Sequence, residues 1–362
     1  MDEPLPDTPR KGRGAVGNPT GRFEREIRHA VDDGWSQAED DLPPLRTTVA
    51  DERPRAIISR NTSPDVPFAQ SINPYRGCEH GCIYCFARPT HAYLGLSPGL
   101  DFETRLFAKP DAAALLEKEL SRPGYVAQPI TLGANTDPYQ QIERDRRITR
   151  AILEVLARFR HPVSIVTKSA LVIRDLDILA PMAADGLAGV GISLTTLDKD
   201  LARRMEPRAA APHRRIETIG ALGAAGVPVA VLVSPIIPFL TESEIERIIE
   251  AAAAAGARAA GYILLRLPLE LKELFTDWLE SHFPERARHV LNRLRESRDG
   301  QLYVAEFGSR MRGSGAFADL IEQRFRLACR KHGLAFGRDR IMALDASRFR
   351  VPPKAGDQLL LL

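Results

Sequence analysis

Three of the four cysteines lie within eight consecutive positions, in the segment Gly77-Cys78-Glu79-His80-Gly81-Cys82-Ile83-Tyr84-Cys85. Thiolates at the spacing C-x3-C-x2-C can bind one metal centre together if the loop wraps around it, and Gly77 and Gly81 give the backbone that freedom. Four cysteines in 362 residues are too few for a disulfide-stabilised scaffold. A cluster of thiols is typical of metal ligands in a reducing compartment. The segment therefore predicts a metal centre in a cytoplasmic protein.

The kind of metal centre stays open on these residues alone. A zinc site needs a fourth ligand, which His80 or His91 could provide. A structural iron–sulfur cluster normally takes a fourth cysteine, and Cys329 is remote in the sequence. A catalytic cluster held by three cysteines leaves one iron open, which suits an iron that must bind a substrate or cofactor.

The cysteines follow the first of six short β-like runs that alternate with amphipathic helical stretches between Pro67 and about Phe283. The predicted strands are Ser71–Tyr75, Ile130–Gly133, Val163–Thr167, Gly189–Leu194, Val227–Val233 and Gly261–Leu265. The predicted helices lie near Asp111–Ser121, Arg144–Phe159, Ile173–Asp185, His213–Ala225, Glu242–Ala255 and Glu270–His282.

These elements predict an α/β fold with its chemistry at one end. Runs such as Pro228–Val233 are almost continuously apolar, as strands covered on both faces are. Six βα units in series indicate a parallel sheet with outer helices, either an open doubly wound sheet or a barrel short of the eight units of a complete one. In either arrangement we expect the active site at the carboxyl ends of the strands.

Composition excludes other classes of protein. With 44% hydrophobic and 27% charged residues, the chain can bury a sizeable core and is not disordered throughout. Its formal net charge of +3 is too small to indicate a polyanionic partner by itself. No run approaches the ~20 apolar residues that span a bilayer, and the polar N-terminus lacks the apolar core of a secretory signal. We therefore expect no membrane partner.

Three regions are predicted along the chain. Residues 1–55 form an N-terminal arm, largely extended or disordered; residues 56–283 form the α/β unit; residues 284–362 form a basic, α-rich C-terminal extension. The extension has predicted helices at Glu285–Glu296 and Phe317–His332 around a strand-like run, Leu302–Phe307. Between Arg286 and Arg350 it carries 15 Lys or Arg against 7 Asp or Glu.

The cysteine motif, with an aromatic residue just before its last cysteine and set after the first of six βα units, resembles the radical S-adenosylmethionine (SAM) superfamily. The resemblance covers about residues 67–270. The runs Asn73–Cys78, Thr136–Gln140 and Met205–Ala209 are similar to the branch that contains spore photoproduct lyase and its uncharacterised bacterial relatives.

This resemblance implies a partial (β/α)6 barrel and a [4Fe–4S] cluster held by Cys78, Cys82 and Cys85. SAM would chelate the fourth iron, and one electron from a flavodoxin- or ferredoxin-type reductant would split it into methionine and a 5′-deoxyadenosyl radical that abstracts hydrogen from a substrate. Reductive cleavage needs a low-potential electron beside the sulfonium, and a barrel interior keeps the radical from water.

The resemblance also implies SAM contacts near the first two strands. Tyr84 would lie over the adenine, or pack against the cysteine loop. Asn135 or Asp137, at the end of the second strand, would take the place of the family's usual acidic residue beside the SAM amino group. Asp137-Pro138 is equally an ordinary turn signal.

Further contacts are implied at the ends of the later strands. Lys168 ends the third strand, where the lyase branch has a lysine near SAM, although exposed lysines are common there. Ser193 ends the fourth strand with Thr195 on the same face, and would bind the ribose or carboxylate. Arg208 would pair with the carboxylate, or with Glu206 at the surface. Ile236 is an adenine-packing candidate.

The hydrogen donor and the substrate remain open. In the photoproduct-lyase group a cysteine near the second strand returns a hydrogen atom to the product, whereas Pro129–Gln141 contains none. The candidates are therefore Tyr139 and Cys329, the latter if it folds back over the barrel mouth. This departure leaves thymine-dimer repair unsupported.

Nucleic acid is one candidate substrate, because the basic extension interleaves Phe325, Phe336 and Phe349 with arginines. The alternative is a helix that packs Phe325 and Cys329 inward while its arginines pair with acids such as Asp319 and Glu322. The other function classes are modification of a peptide or small molecule, and a non-enzymatic iron–sulfur or zinc sensor of metal or redox state.

Overall fold

The computed structural model describes residues 9–24, 45–336 and 343–353. Its strands are β1 Thr48–Asp51, β2 Ser59–Arg60, β3 Gln70–Ile72, β4 Tyr75–Arg76, β5 Arg105–Ala108, β6 Ile130–Leu132, β7 Val163–Thr167, β8 Ala188–Ser193, β9 Val229–Ile236, β10 Ala259–Leu264 and β11 Ala335–Phe336. Its α-helices are α1 Asp101–Thr104, α2 Ala112–Leu120, α3 Glu143–Arg146, α4 Ile148–Arg158, α5 Leu176–Ala184, α6 Lys199–Met205, α7 Pro212–Ala224, α8 Ile245–Ala254, α9 Leu271–His282, α10 Pro284–Glu296, α11 Ser309–Arg312 and α12 Gly315–Lys331.

The main sheet has the order β2-β3-β6-β7-β8-β9-β10-β11. Its six middle strands are parallel and lie in chain order, whereas β2 pairs antiparallel with β3 at one edge and β11 pairs parallel with β10 at the other. Consecutive strands that neighbour each other in one direction are the arrangement of a barrel wall, while a doubly wound sheet reverses direction at a switch point. The predicted partial (β/α)6 barrel is therefore confirmed.

Apolar patterning explains why these segments pack as they do. Every residue of β8 is buried, because helices cover one face of the sheet and the barrel interior closes the other. On α4 the buried positions include Ile148, Ile152, Val155 and Leu156, spaced three and four apart as one helical face requires.

The first predicted strand is wrong in its extent. Only Gln70–Ile72 joins the main sheet, whereas Tyr75–Arg76 pairs with β5 in a separate sheet of order β1-β5-β4. Pro74 has no N–H to donate to a ladder, and its carbonyl accepts from Lys109 N instead. The break turns the chain out of the main sheet just before the cysteines.

Two predicted elements differ from the structure. The helix expected over Arg144–Phe159 is divided at Arg147, which has a φ of +50°. The Glu143 carboxylate accepts from the first N–H groups of the second part, at 3.0 Å from Thr149 N. The strand-like run Leu302–Phe307 forms no strand, because its neighbours are loops and α11 rather than a sheet edge.

Both terminal regions contact the barrel. α12 packs on α8, and Arg350 N donates to Phe159 O near the C-terminus. Of the predicted arm, residues 9–24 and 45–55 are described, and Gly14 and Ala15 lie beside the cysteine loop. The other residues of the arm, 1–8 and 25–44, fall outside the described residues. The boundaries at 55 and 283 stay predictions. Within the part of the chain that the structure describes, no helix is both long and apolar enough to cross a membrane.

Candidate active site

The cysteine loop (Gly77–Cys85) lies where the first barrel strand ends, at the edge of the sheet we call the mouth of the barrel. Cys78 and Cys82 are buried and Cys85 is half-buried. Gly77 and Gly81 have φ of +70° and +67°; a Cβ on Gly77 would lie 2.8 Å from Phe102 O, and one on Gly81 would lie 2.7 Å from Glu103 Oε2. Glycine is therefore required at both positions by backbone conformation and by close approach.

Arg88 holds the cysteine loop by its backbone carbonyls. Its fully buried guanidinium donates to Cys82 O at 2.8 Å and to Gly81 O at 3.0 Å. It also pairs with the buried Glu103 carboxylate, at 2.5 Å. A planar guanidinium with five donors can satisfy a carboxylate and several carbonyls at once. Neither residue was predicted, since a single arginine three positions after the motif gives no signal in the sequence.

The N-terminal arm completes this scaffold. Glu103 accepts from Gly14 N at 3.0 Å and from Ala15 N at 2.8 Å. A Cβ on Gly14 would lie 1.8 Å from Gly81 O, so only glycine allows this approach. Residues of the arm thus contact the cysteine loop directly.

The loop's donor set fits an iron–sulfur cluster. Burial raises the pKa of the Cys78 and Cys82 thiols, and a bound metal centre offsets that cost because its positive charge keeps ligating thiols deprotonated. Among the described residues, no three His, Cys, Asp or Glu side chains are grouped to hold a single ion.

The zinc alternative would take His80 or His91 as its fourth ligand. His91 Nε2 lies 3.0 Å from Arg105 O and the ring packs edge-on to Phe102. His80 Nδ1 lies 3.3 Å from Asp137 Oδ2. One ring nitrogen of each imidazole is therefore engaged by a group other than a cysteine.

Asp137 is anchored at the end of the second barrel strand. Its carboxylate accepts from Thr167 Oγ1 at 2.7 Å and from Lys168 N at 2.7 Å. Burial opposes ionisation, but His80 and these donors outweigh it and lower the pKa of Asp137 to about 2. Asp137 is thus a fixed anion beside Cys78. Asn135 is exposed, and its N–H donates to Asn73 Oδ1 at 2.9 Å.

Tyr84 belongs to a buried polar network that sequence reasoning missed. Its hydroxyl donates to Glu206, which also accepts from Thr195 Oγ1 at 2.8 Å and pairs with Arg215. The ammonium of Lys168 lies 5.7 Å from the centre of the Tyr84 ring. The partner of Glu206 is therefore Arg215, whereas the sequence offered Arg208 as one alternative.

Arg208 pairs with another carboxylate. Its guanidinium lies 2.9 Å from Glu79 Oε1, inside the cysteine loop, while the Glu206 carboxylate belongs to Arg215. The surface pair of Arg208 with Glu206 is therefore wrong.

Two strand-end candidates lie in different surroundings. Ser193 Oγ donates to Ser234 O at 3.3 Å, and the Ser193 carbonyl accepts from Arg215 at 3.0 Å, so the residue adjoins the Tyr84 network. Ile236 is fully buried in the main core, together with Val233 and Leu264.

The two hydrogen-donor candidates are both buried. The Tyr139 hydroxyl donates to Asp175 at 3.0 Å, in a buried network of acids and arginines. Cys329, on α12, is 1% exposed and packs in the main core, in a different apolar cluster from Cys82. The expected fold-back of Cys329 over the mouth is therefore wrong.

The aromatic residues of the extension are also committed to packing. Phe325 and Phe336 stack with Tyr262, and Phe349 packs on Tyr125 and Phe159. On α12, Arg324 pairs with Glu246 and Arg326 with Glu322. The alternative of an inward Phe/Cys stripe with paired arginines is confirmed, with Glu246 as an added partner.

A partial barrel with three cysteines at its mouth defines a class of enzyme. The family model for the radical SAM superfamily matches residues 72–252, half of the chain, and the chain belongs to this superfamily. It is therefore an enzyme of the radical SAM class, whose members use a [4Fe–4S] cluster and SAM.

The most similar relatives carry no assigned activity. Uncharacterized proteins of Mycobacterium tuberculosis (strain ATCC 25618 / H37Rv) and Mycobacterium bovis are 39% identical over 233 residues, which cover 64% of this chain and 67% of each relative. An uncharacterized protein of Methanocaldococcus jannaschii is 27% identical over 222 residues, covering 61% of this chain and 79% of that protein.

Among solved structures, spore photoproduct lyase complexed with dinucleoside spore photoproduct superposes with a TM-score of 0.57 at 16% identity, covering 80% of this chain and 82% of the lyase. A mutant of that lyase with bound AdoMet and dinucleoside spore photoproduct gives 0.56 at the same identity, covering 80% of each chain. At this identity the likeness concerns the fold.

Proposed function

We propose that this enzyme binds a [4Fe–4S] cluster through Cys78, Cys82 and Cys85 and cleaves SAM reductively. The observation that carries the proposal is the cysteine loop itself: three thiols at the barrel mouth on a backbone whose carbonyls are fixed by Arg88. When bound, the cluster and SAM supply a 5′-deoxyadenosyl radical that abstracts hydrogen from the substrate. A flavodoxin- or ferredoxin-type protein would deliver the electron.

The chain's own residues would bind and orient SAM around this loop. Asp137 is an anion that stays ionised at neutral pH, which suits the SAM ammonium. Tyr84 is held by Glu206 and Thr195 at the mouth, where its ring would pack on the adenine. Lys168, beside that ring, would bind a negative group of the ligand.

Other candidate contacts have narrower roles. Arg208 would bind the SAM carboxylate with the donors not engaged by Glu79, and Ser193 would donate to the ribose or carboxylate. Asn135 is exposed at the end of the second barrel strand and would bind SAM from there. Ile236, being buried, would support the adenine site from beneath.

Nucleic acid is the first substrate class to test. The solved spore photoproduct lyase holds a dinucleoside, and the extension is basic. The buried aromatics of that extension favour the second class, a peptide or small molecule, because they leave α12 without a stacking platform. Filter binding across salt concentrations separates the two: a nucleic-acid substrate gives a slope of log affinity against log salt of about −0.7 to −0.9 per phosphate contact.

The cluster assignment is tested by substitution after anaerobic reconstitution with iron and sulfide. Replacing any one of Cys78, Cys82 or Cys85 by Ala should abolish the oxygen-sensitive iron–sulfur absorbance, since three ligands are the minimum. Cys329→Ala is the matched control and should retain it. With dithionite and SAM, the wild-type protein should release 5′-deoxyadenosine and methionine. Loss of absorbance in the control would mean four protein ligands and would contradict the open-iron assignment.

A further inference from the structure

Three arginines gather where the last barrel strand, β10, reaches the mouth. They are Arg266, Arg298 and Arg310, which we call the arginine cluster. Arg310 of this cluster forms an ion pair with Asp65. Neither Arg266, which is partly buried, nor Arg298, which is fully buried, has an ion pair with a carboxylate of the described residues.

Arg266 begins the loop after β10 and reaches the cysteine loop. Its guanidinium carbon lies 4.3 Å from the centre of the Phe86 ring, and Phe86 directly follows Cys85. It has no hydrogen bond or ion pair with any residue that the structure describes, although it is only partly exposed. Burial, and then the nearby charge of Arg310, lower its pKa. The guanidinium carbon lies over the Phe86 ring, and the N–H groups of Arg266 have no acceptor among the described residues, so they are left for a ligand.

Arg298 lies behind Arg266 and is 1% exposed. It donates to backbone carbonyls alone, at 2.7 Å to Leu265 O and 3.1 Å to Arg310 O. Its Nε is buried without a partner among the described residues. Burial, followed by the charge of Arg266, lowers its pKa to about 10. Arg298 therefore adds uncompensated positive charge beneath Arg266.

Arg310 closes the cluster from the C-terminal extension. It pairs with Asp65 and donates to Ser63 Oγ at 2.7 Å. Its guanidinium carbon lies 4.5 Å from the centre of the Phe307 ring. Phe307 is 56% exposed and Phe86 is 39% exposed, so the cluster opens toward solvent between two aromatic rings.

The balance of charge points to an anionic ligand. Buried cations are normally paired, because removing an unpaired charge from water is costly. Among the described residues, three guanidinium groups pair with one carboxylate, which leaves an excess of two positive charges at the mouth. Arginine N–H edges match the two-oxygen faces of phosphate and carboxylate groups.

We propose that Arg266, supported by Arg298, binds an oxyanion group of the substrate, a phosphate or a carboxylate, beside the cysteine loop. This rests on the proposed function, since it assumes that the substrate enters at the mouth. The competing role for Arg266 is to offset the charge of the cluster thiolates, because Cys85 lies within its electrostatic reach.

The test uses the reconstituted full-length enzyme and two probes, inorganic phosphate and acetate, with binding followed by isothermal titration calorimetry. The wild-type enzyme should bind one of them at the mouth, and the preferred probe identifies the oxyanion. Arg266→Gln should weaken that binding by about tenfold or more, as expected when a charge-assisted hydrogen bond is lost. Arg324→Gln, on α12, removes an arginine already paired with Glu246 and should leave the affinity unchanged.

Iron content and absorbance are measured on every variant. If Arg266→Gln keeps its iron but no longer binds the anion, the result supports the proposal. If it loses iron to the same extent as it loses anion binding, the result supports the counter-charge role of Arg266 and overturns the proposal. Arg266→Lys, which keeps the charge but not the two-donor edge, should fold if Gln does not, and should bind the anion less tightly than wild type. Absence of binding by the wild-type enzyme, or wild-type affinity in both Arg266 variants, also overturns the proposal. Failure to release 5′-deoxyadenosine would instead contradict the proposed function while leaving anion binding measurable.

Discussion

The buried pair of Arg88 and Glu103 provides the sharpest test of how the cysteine loop is held. Glu103→Gln keeps the shape of the side chain but removes its charge. The substitution leaves the fully buried Arg88 guanidinium without an anionic partner, with the neutral amide oxygen of Gln and backbone carbonyls as its acceptors. It also weakens the acceptor for the N–H groups of Gly14 and Ala15.

The expected cost follows from the burial of both partners. Their side chains are each 0% exposed, and breaking such a pair by removing one charge costs about 3–5 kcal/mol because the other charge stays buried. The matched control is Glu217→Gln, whose pair with Arg214 has side chains 55% and 59% exposed. An exposed pair contributes about 0–1 kcal/mol, so this variant should be close to wild type.

The assay is urea unfolding of the protein without iron, followed by iron retention after reconstitution. We expect Glu103→Gln to lower the unfolding free energy by several kcal/mol and to lose iron faster than the control. If Glu103→Gln and Glu217→Gln have the same stability and the same iron retention, Arg88 and Glu103 do not hold the loop. A double variant, Arg88→Met with Glu103→Gln, should cost less than the sum of the two single changes, because it leaves no buried charge unpaired.

Three further predictions test separate parts of the structure. Gly14→Ala should reduce iron retention, because its Cβ would meet Gly81 O, whereas Gly220→Ala, whose nearest neighbour is 3.7 Å away, should not; equal iron content would show that the arm can move aside. Burial lowers the pKa of His161 to about 4, so on acidification the unfolded chain takes up a proton that the folded chain excludes. The contribution of His161 to the free energy of unfolding should therefore be fully present above about pH 6.5 and fall by about 3 kcal/mol toward pH 4. Urea titrations in which His161→Gln shows the same pH dependence as wild type would contradict this. Ser193→Ala should retain the absorbance but weaken SAM binding by roughly 1–3 kcal/mol, and unchanged calorimetric affinity would remove Ser193 from the site.

The residues that carry the class of enzyme could be found from the sequence. Cys78, Cys82 and Cys85 are close in the chain, so their spacing states their chemistry without knowledge of the fold. The existence of the barrel strands was also predictable, because a run such as Val229–Val233 shows its burial by its own composition. The ends of the elements were less predictable. The first strand ends before Pro74, and one expected helix is divided where the Glu143 carboxylate accepts from the first N–H groups of its second part.

Partners across the fold were decided only by tertiary structure. Gly14 is hydrogen-bonded to Glu103, which is 89 positions away in the sequence. Arg208 forms its ion pair with Glu79, although Glu206 is only two positions from Arg208. Phe336 and Phe349, which in sequence resembled a stacking surface among arginines, are partly buried and pack against the core. The physical reason is range: periodicity reports which face of a local segment is apolar, whereas an ion pair or a buried ring depends on which distant segment the chain path brings to it. The unpaired edge of Arg266 is such a feature, since the absence of a partner can be read only when all neighbours are in place.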